Sequence, residues 1–329
     1  MQTSIDERKS AGLAWAQQQL GITADRVEAI SSDASFRRYF RLITGDESVI
    51  LMDAPPEREP VAPFIDIAQR LHPHLRVPEV LAANIDQGFL LLSDLGDTPY
   101  HHILNDDNAE DLFKSAMDSL LTLQTRINTD NVATYEPALL MRELDLFLDW
   151  FIRRHWQVEP SDDELDEWDQ LCALLIRWAL DQAQVFCHRD FMPRNLMLGK
   201  DEPGILDFQD AVIGPISYDP VCLFRDAFLS WPQAKVDAWL EHYRTLALKA
   251  GLDVPQNPEL WRRTCDFMGT QRHLKVIGIF ARIRYRDGKA HYLDDHQRFF
   301  AYLEQSIARN SELSGLAALL RAWSARRAS

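Results

Sequence analysis

Between Val185 and Gln209, polar residues recur at fixed intervals around what reads as a tight β-hairpin. The run Val185-Phe186-Cys187-His188-Arg189-Asp190-Phe191-Met192-Pro193-Arg194-Asn195 has the form H-R-D-x-x-x-x-N. Ile205-Leu206-Asp207-Phe208-Gln209 then sets a second aspartate twelve residues beyond Asn195. The apolar runs Leu196-Met197-Leu198 and Gly204-Ile205-Leu206 flank the turn 199–203, which is a hairpin signal. Such a hairpin carries the chain out and back, bringing Asp207 to the loop that holds Asp190 and Asn195. Four fixed residues at this spacing arise by chance in on the order of one chain in a thousand of this length.

The sequence on either side of the hairpin divides in two. Residues 5–20 read as a short amphipathic helix, and 27–30, 40–43 and 48–52 as strands joined by the polar turns 31–35 and 44–46. Residues 61–71 have helical spacing with Pro63 in the first turn, and 80–84 and 89–92 add two strands around the turn 86–88. This predicts a small antiparallel-sheet N-lobe over residues 1–95. Beyond Leu95-Gly96-Asp97 the spacing is helical over 109–126, 139–155, 161–184, 233–250, 258–285 and 297–310. Residues 96–329 are therefore expected to form a larger, mostly helical C-lobe that carries the hairpin. Ser161-Asp162-Asp163-Glu164 reads as a helix cap with favourable dipole charges. The fold class is α+β.

The chain of 329 residues carries 35 Lys and Arg against 50 Asp and Glu, a formal charge of −15. It repels phosphate backbones and anionic lipid surfaces, and no basic patch reverses this, so no nucleic acid and no membrane is an expected partner. The longest apolar runs, such as 88–92 and 276–281, fall far short of the about 20 residues that a membrane span needs. The start carries Asp6, Glu7, Arg8 and Lys9 in place of the apolar stretch of a secretory signal. Cys172, Cys187, Cys222 and Cys265 are widely spaced without a C-x-x-C, as expected of buried thiols in a cytoplasmic protein. The sequence leaves the oligomeric state open; a monomer suffices.

The residue types around the hairpin suit phosphoryl transfer. That reaction needs Mg²⁺ to neutralise nucleotide phosphates, hard oxygen ligands to hold the ion, and a carboxylate to orient and deprotonate the attacking hydroxyl. Asn195 and Asp207 are the candidate metal ligands and Asp190 the candidate base. An asparagine in place of a third carboxylate limits the negative charge beside the phosphates, and His188 is suited to orient the loop by hydrogen bonding.

These residues resemble the aminoglycoside phosphotransferase family, which has a protein-kinase-like, two-lobed fold and includes choline, homoserine and sugar kinases. The resemblance spans nearly the whole chain. It implies an ATP- and Mg²⁺-dependent kinase acting on a small molecule. Gly214-Pro215-Ile216-Ser217-Tyr218-Asp219-Pro220 is similar to the family's G-x-x-x-x-D-P segment, which implies that Asp219 anchors the catalytic loop through its backbone. Leu90-Leu91-Leu92-Ser93-Asp94-Leu95-Gly96 looks like the strand and hinge that present backbone groups to adenine, with Ser93 and Leu95 as candidates. Within the family, Ser32-Asp33-Ala34-Ser35-Phe36-Arg37-Arg38-Tyr39-Phe40-Arg41, Leu51-Met52-Asp53-Ala54-Pro55-Pro56-Glu57 and the stretch 271–282 resemble bacterial anomeric kinases of N-acetylmuramate and N-acetylglucosamine. That implies a sugar α-1-phosphate product and a place in peptidoglycan recycling. The alternatives are another small-molecule kinase on this scaffold, for an aminoglycoside, choline, homoserine or a different sugar, and a nucleotide-binding pseudokinase.

Two departures stand out. Where a V-A-I-K strand would put a lysine on the phosphates, Ser48-Val49-Ile50-Leu51-Met52 ends in methionine, leaving Arg37, Arg38 or Arg41 as candidates for the positive charge. The turn 31–35 also lacks glycine, so Ser32 and Ser35 are the candidates there to bond phosphate. For the acceptor, a sugar pocket wants hydrogen-bonding side chains and an aromatic platform, and Glu143, Asp145, Trp150, Arg225 and Asp226 are candidates. The lactyl carboxylate of N-acetylmuramate adds a demand for basic groups, for which Arg272, His273, Lys275, Arg282 and Arg284 are available.

Overall fold

The computed structural model describes residues 2–30 and 36–327. In chain order, α1 (Gln2–Leu20) is followed by β1 (Arg26–Ile30), β2 (Arg38–Thr44), β3 (Glu47–Asp53), α2 (Ala62–Leu71), β4 (Val80–Asn84) and β5 (Phe89–Ser93). Next come α3 (Tyr100–Ile103), α4 (Ala109–Arg126), α5 (Pro137–Leu146), which continues as a π-helix over Phe147–His155, and α6 (Asp162–Leu180). The hairpin region holds β6 (Gln184–Cys187), a 3₁₀ turn at Pro193–Asn195, β7 (Leu196–Met197), β8 (Gly204–Ile205) and β9 (Val212–Pro215). Helices α7 (Tyr218–Phe224), α8 (Gln233–Lys249), α9 (Pro258–Asp287), α10 (His296–Arg309) and α11 (Ser314–Arg326) complete the chain. No described helix is long and apolar enough to cross a membrane.

Two compact units result, one of residues 1–119 with 194–210, the other of 120–193 with 211–329. The first is built on a five-stranded antiparallel sheet in the order β1-β2-β3-β5-β4. Strand alternation puts Phe40, Leu42, Leu51, Phe89 and Leu91 on one face, where they pack with Ala16 of α1. Gly12 keeps α1 close, since a Cβ there would stand 3.2 Å from Phe89 and 3.3 Å from Leu51. The hairpin β7–β8 joins this unit through main-chain bonds. Leu198 N–H donates to the Thr98 carbonyl and Ile205 N–H to the Arg76 carbonyl, both at 2.8 Å. Helix α2 adds Phe64, whose ring lies 4.9 Å from that of Phe208.

The second unit surrounds α9, a helix of 30 residues buried along most of its length. Asn257 caps its start by accepting from the Glu259 and Leu260 amides, and Gly288, at φ 74°, ends it in the left-handed conformation that glycine adopts without steric cost. Ser161 and Glu164 close a capping box on α6, as the acidic run suggested. Helix α9 packs closely against the chain at Gly278, where a Cβ would fall 2.4–2.6 Å from backbone atoms of Leu146 and Phe147. The same two residues mark the change from α5 to the π-helix. All four cysteines are buried thiols.

Gly278→Ala is therefore expected to destabilise the chain by about 1–3 kcal/mol, through overpacking against a backbone that has no rotamer to yield. Urea denaturation reads this as a lower midpoint with an unchanged slope; an unchanged midpoint would show that the two helices separate without cost.

Candidate active site

In the sheet unit, the three candidate arginines separate cleanly. Arg38 shares the α1 face with Phe40 and Leu42, and its guanidinium binds Asp53, which also takes Arg8 (Nε to Oδ1, 3.1 Å). Arg41 points to the opposite face and grips the hinge. Its Nη2 donates to Asp94 Oδ1 (3.1 Å) and to the Gly96 carbonyl (2.9 Å), while the Ser48 hydroxyl and the Gly96 amide also bond Asp94. Burial raises the Asp94 carboxyl, but these bonds outweigh it and hold the group below its ordinary range. Arg37, which precedes β2, is 9% exposed and pairs with Glu59 at 2.8 Å. The Tyr39 phenol is pushed up by burial, eased by Arg37 and raised further by Asp207 and Glu59, so these four side chains share one neighbourhood. Met52, at the position of the absent lysine, is the register partner of Tyr39.

The hairpin brings the two candidate metal ligands together, with the Leu206 amide donating to the Asn195 carbonyl at 2.9 Å. Asp207 takes a left-handed φ of 63°, and Gln209 Nε2 donates to its Oδ1 at 2.8 Å. The sequence did not single out Arg76. Its Nη2 donates to the Leu95 carbonyl of the hinge (3.0 Å) and its Nη1 reaches the Leu198 carbonyl of the hairpin (3.4 Å). The only signal for it was a pair of glycines, Gly199 and Gly204, where a Cβ would stand 2.9 and 2.8 Å from Arg76 Nη1. Ser93 accepts from the Glu79 amide at 2.9 Å. Ser32 and Ser35 lie outside the described residues.

In the helical unit, Asp219 accepts two consecutive amides, His188 N–H to Oδ2 (2.7 Å) and Arg189 N–H to Oδ1 (2.9 Å). Burial raises the Asp219 carboxyl, and His188 and the two amide bonds oppose the rise. The His188 ring accepts the Asp190 amide at Nδ1, 3.2 Å, and stands edge-on to Phe191. Arg189 is left-handed, at φ 73°, and its Nη2 reaches Glu143 Oε1 at 2.6 Å. Glu143 Oε1 also takes Lys275 Nζ (3.0 Å), while Oε2 takes Gln271 Nε2 (3.1 Å) and the Tyr135 hydroxyl. Lys275 Nζ donates further to the Tyr218 hydroxyl at 2.9 Å.

Several residues expected to face an acceptor lie in the interior instead. Arg225 is fully buried against Asp266 (2.6 Å), with Gly269 making room for its guanidinium. Arg272 Nη1 donates to the Arg225 carbonyl at 3.3 Å. His273 stacks on Tyr302 at 4.9 Å, and burial together with Arg272 and Arg225 keeps its imidazole neutral. Asp226 Oδ1 caps a turn through the Phe228 and Leu229 amides. Trp150 packs against the apolar core, while Asp145, Arg282 and Arg284 are half-buried. The buried charges among these residues have their partners within the helical unit.

Residues 26–262 match the model of the phosphotransferase enzyme family (APH). The chain belongs to this family. It is 51% identical over 88% of its length to the N-acetylmuramate/N-acetylglucosamine kinase of Pseudomonas aeruginosa, covering 86% of that protein. It is 47% identical over 93% of its length to the enzyme of the same name from Pseudomonas putida, covering 90%. Among solved structures, the gentamicin–APH(2")-IIa complex aligns with 87% of this chain and 94% of that one, at a TM-score of 0.61 and 14% identity. The aminoglycoside phosphotransferase APH(4)-Ia, in a ternary complex with ADP and hygromycin B, aligns with 89% and 97% at 0.59 and 13% identity. At such identities the likeness is one of fold, protein-kinase-like, with the antiparallel sheet and the helical unit of this phosphotransferase as its parts.

Glu143 gives this phosphotransferase a pH dependence of stability. Burial raises its carboxyl, but Lys275, Arg189 and their hydrogen bonds outweigh this and hold it below the ordinary 4.5. A depressed carboxyl contributes stability above its unfolded value and loses it as pH falls through the folded one. The stability gap between wild type and Glu143→Gln is expected to be full above pH 4.5 and to shrink in more acid solution, as measured by denaturation across pH. A constant gap would mean that Glu143 is not ionised in the folded state.

Proposed function

We propose that this chain is a kinase that moves the γ-phosphoryl group of ATP, with Mg²⁺, to the anomeric hydroxyl of N-acetylmuramate or N-acetylglucosamine. The product is the α-1-phosphate, made in the cytoplasm for cell-wall recycling from a small amino sugar. The observation that carries the acceptor is the 51% identity to a kinase of that name along 88% of this chain. The reaction type is supported by the residue set of the H-R-D-x-x-x-x-N segment and Asp207.

In this reading Asp190 accepts the proton of the anomeric hydroxyl. The oxygen so activated bonds to the γ-phosphorus as the bond to the ADP oxygen breaks. His188, through the Asp190 amide, and Asp219, through the two amides before it, fix the backbone from which that carboxylate projects. Asn195 and Asp207 offer one amide and one carboxylate oxygen on adjoining turns of a hairpin, a hard donor pair that fits Mg²⁺. Bound there, the ion would neutralise charge on the nucleotide phosphates. Arg37, held by Glu59 beside Tyr39 and Asp207, takes the part of the absent lysine. The nucleotide base falls to the hinge at Ser93–Leu95, stiffened by Arg41 and Arg76.

With Mg·ATP and either amino sugar, the purified protein is expected to release ADP and form a sugar 1-phosphate visible by phosphorus NMR, and to do neither with kanamycin or choline. A product from another acceptor overturns the substrate, and ATP binding without any turnover overturns the kinase. Excess EDTA should stop the reaction and added Mg²⁺ restore it. Asp190→Asn is expected to lower kcat at least about a thousandfold with ATP binding retained. Arg37→Ala should raise KM for ATP about tenfold or more, whereas Arg38→Ala should leave it within about twofold; equal effects would remove Arg37 from the phosphates.

A further inference from the structure

We propose that Glu143 is a positioning residue for the reaction: through Arg189 it fixes the backbone on which Asp190 stands. The inference rests on the kinase reading above. Its observations are independent of any ligand. Glu143 is 5% exposed, and its two oxygens accept from four donors on three parts of the chain. These are Tyr135 ahead of α5, Arg189 in the loop, and Gln271 and Lys275 one turn apart on α9. The loop end of this network is the residue directly before Asp190.

Arg189 needs such a tie. Its φ of 73° lies in the left-handed region, which is costly for a residue with a side chain and persists only where surroundings impose it. Asp219 holds its amide, the Cys222 thiol approaches its carbonyl at 3.3 Å, and Glu143 holds its guanidinium, which also lies over the Tyr135 ring at 5.3 Å. Amide, carbonyl and side chain are each secured, so the peptide leading into Asp190 has one orientation. Lys275 and Gln271 keep Glu143 charged and aimed at the loop. Their place in the interior follows from that role, with no contact to the acceptor required.

The reading and the inference fail separately. Wild-type ADP release with N-acetylmuramate tests the reading alone. For the inference, Glu143→Gln is expected to lower kcat about a hundredfold, as misplacement of a reacting group does, with KM for both substrates within about threefold. In an Arg189→Gln background the same change should cost less than about threefold further, because the link it acts through is gone. A raised acceptor KM at unchanged kcat would make Glu143 a substrate contact, and additive effects would detach it from Arg189; either overturns the proposal. Should Glu143→Gln not fold, Arg189→Gln carries the test alone: the same loss of kcat at constant KM is expected, and wild-type kcat overturns it. Whatever the acceptor, amide hydrogen exchange over 187–192 in Arg189→Gln or Glu143→Gln should quicken about tenfold or more while α9 stays protected. Unchanged exchange there overturns the proposal too.

Discussion

One buried carboxylate, Asp219, receives the amides of His188 and Arg189, and the shape of the catalytic loop depends on that double acceptance. With both amides held on one carboxylate, the chain changes direction at the next step, where Arg189 is left-handed. Asp207, at the far end of the hairpin, is left-handed as well and is steadied by Gln209. Backbone of this kind costs free energy and survives where tertiary bonds over-determine it. It occurs at Arg189, directly before one aspartate of the motif, and at Asp207, the other.

The polar interior around α9 follows the same economy of bonds. A charge taken out of water is costly unless a partner and hydrogen bonds replace its hydration. Arg225 has Asp266, which in turn accepts from Asn310 at 3.1 Å, while Asp226 has two amides. His273 meets the problem differently. It sheds its charge and stacks as an aromatic ring. One long helix thus carries apolar contacts toward the core and, on successive turns, the polar side chains that tie α5, α7 and the catalytic loop to it.

Much of this was legible in the sequence, and what was not has identifiable causes. Hydrophobic period and turn residues gave the five strands of the sheet and most helices to within a few residues, because those signals are local. The α-to-π change at Phe147 was invisible, since it sits where Gly278 of a distant helix comes against the chain. The loop motif was legible because its residues stand at fixed intervals within one short segment, although Asp219 and Glu143, which hold that segment, lie 30 or more positions away. The pairing of the acceptor candidates was not, because a charged residue on a helix reads the same whether it lines a pocket or pairs inside a core. Arg225, Arg272 and Lys275 find their partners 40 or more positions away. Arg76 was missed for a related reason, as its partners are main-chain carbonyls, which leave no mark in the sequence beyond the glycines that make room.

The absent lysine shows how strand geometry decides between equivalent letters. Arg37, Arg38 and Arg41 are interchangeable as characters, but side chains alternate along β2 and the faces have different neighbours. Arg38 falls on the helix side, where Asp53 and Arg8 await it, and Arg41 falls opposite, within reach of Asp94 at the hinge. Arg37 stands just before the strand, pairs with Glu59, and bears with Asp207 on the Tyr39 phenol. A lysine at Met52 would present a point charge on a flexible stem. A guanidinium entering from the preceding turn needs a carboxylate to fix its plane, and Glu59 supplies one at 2.8 Å.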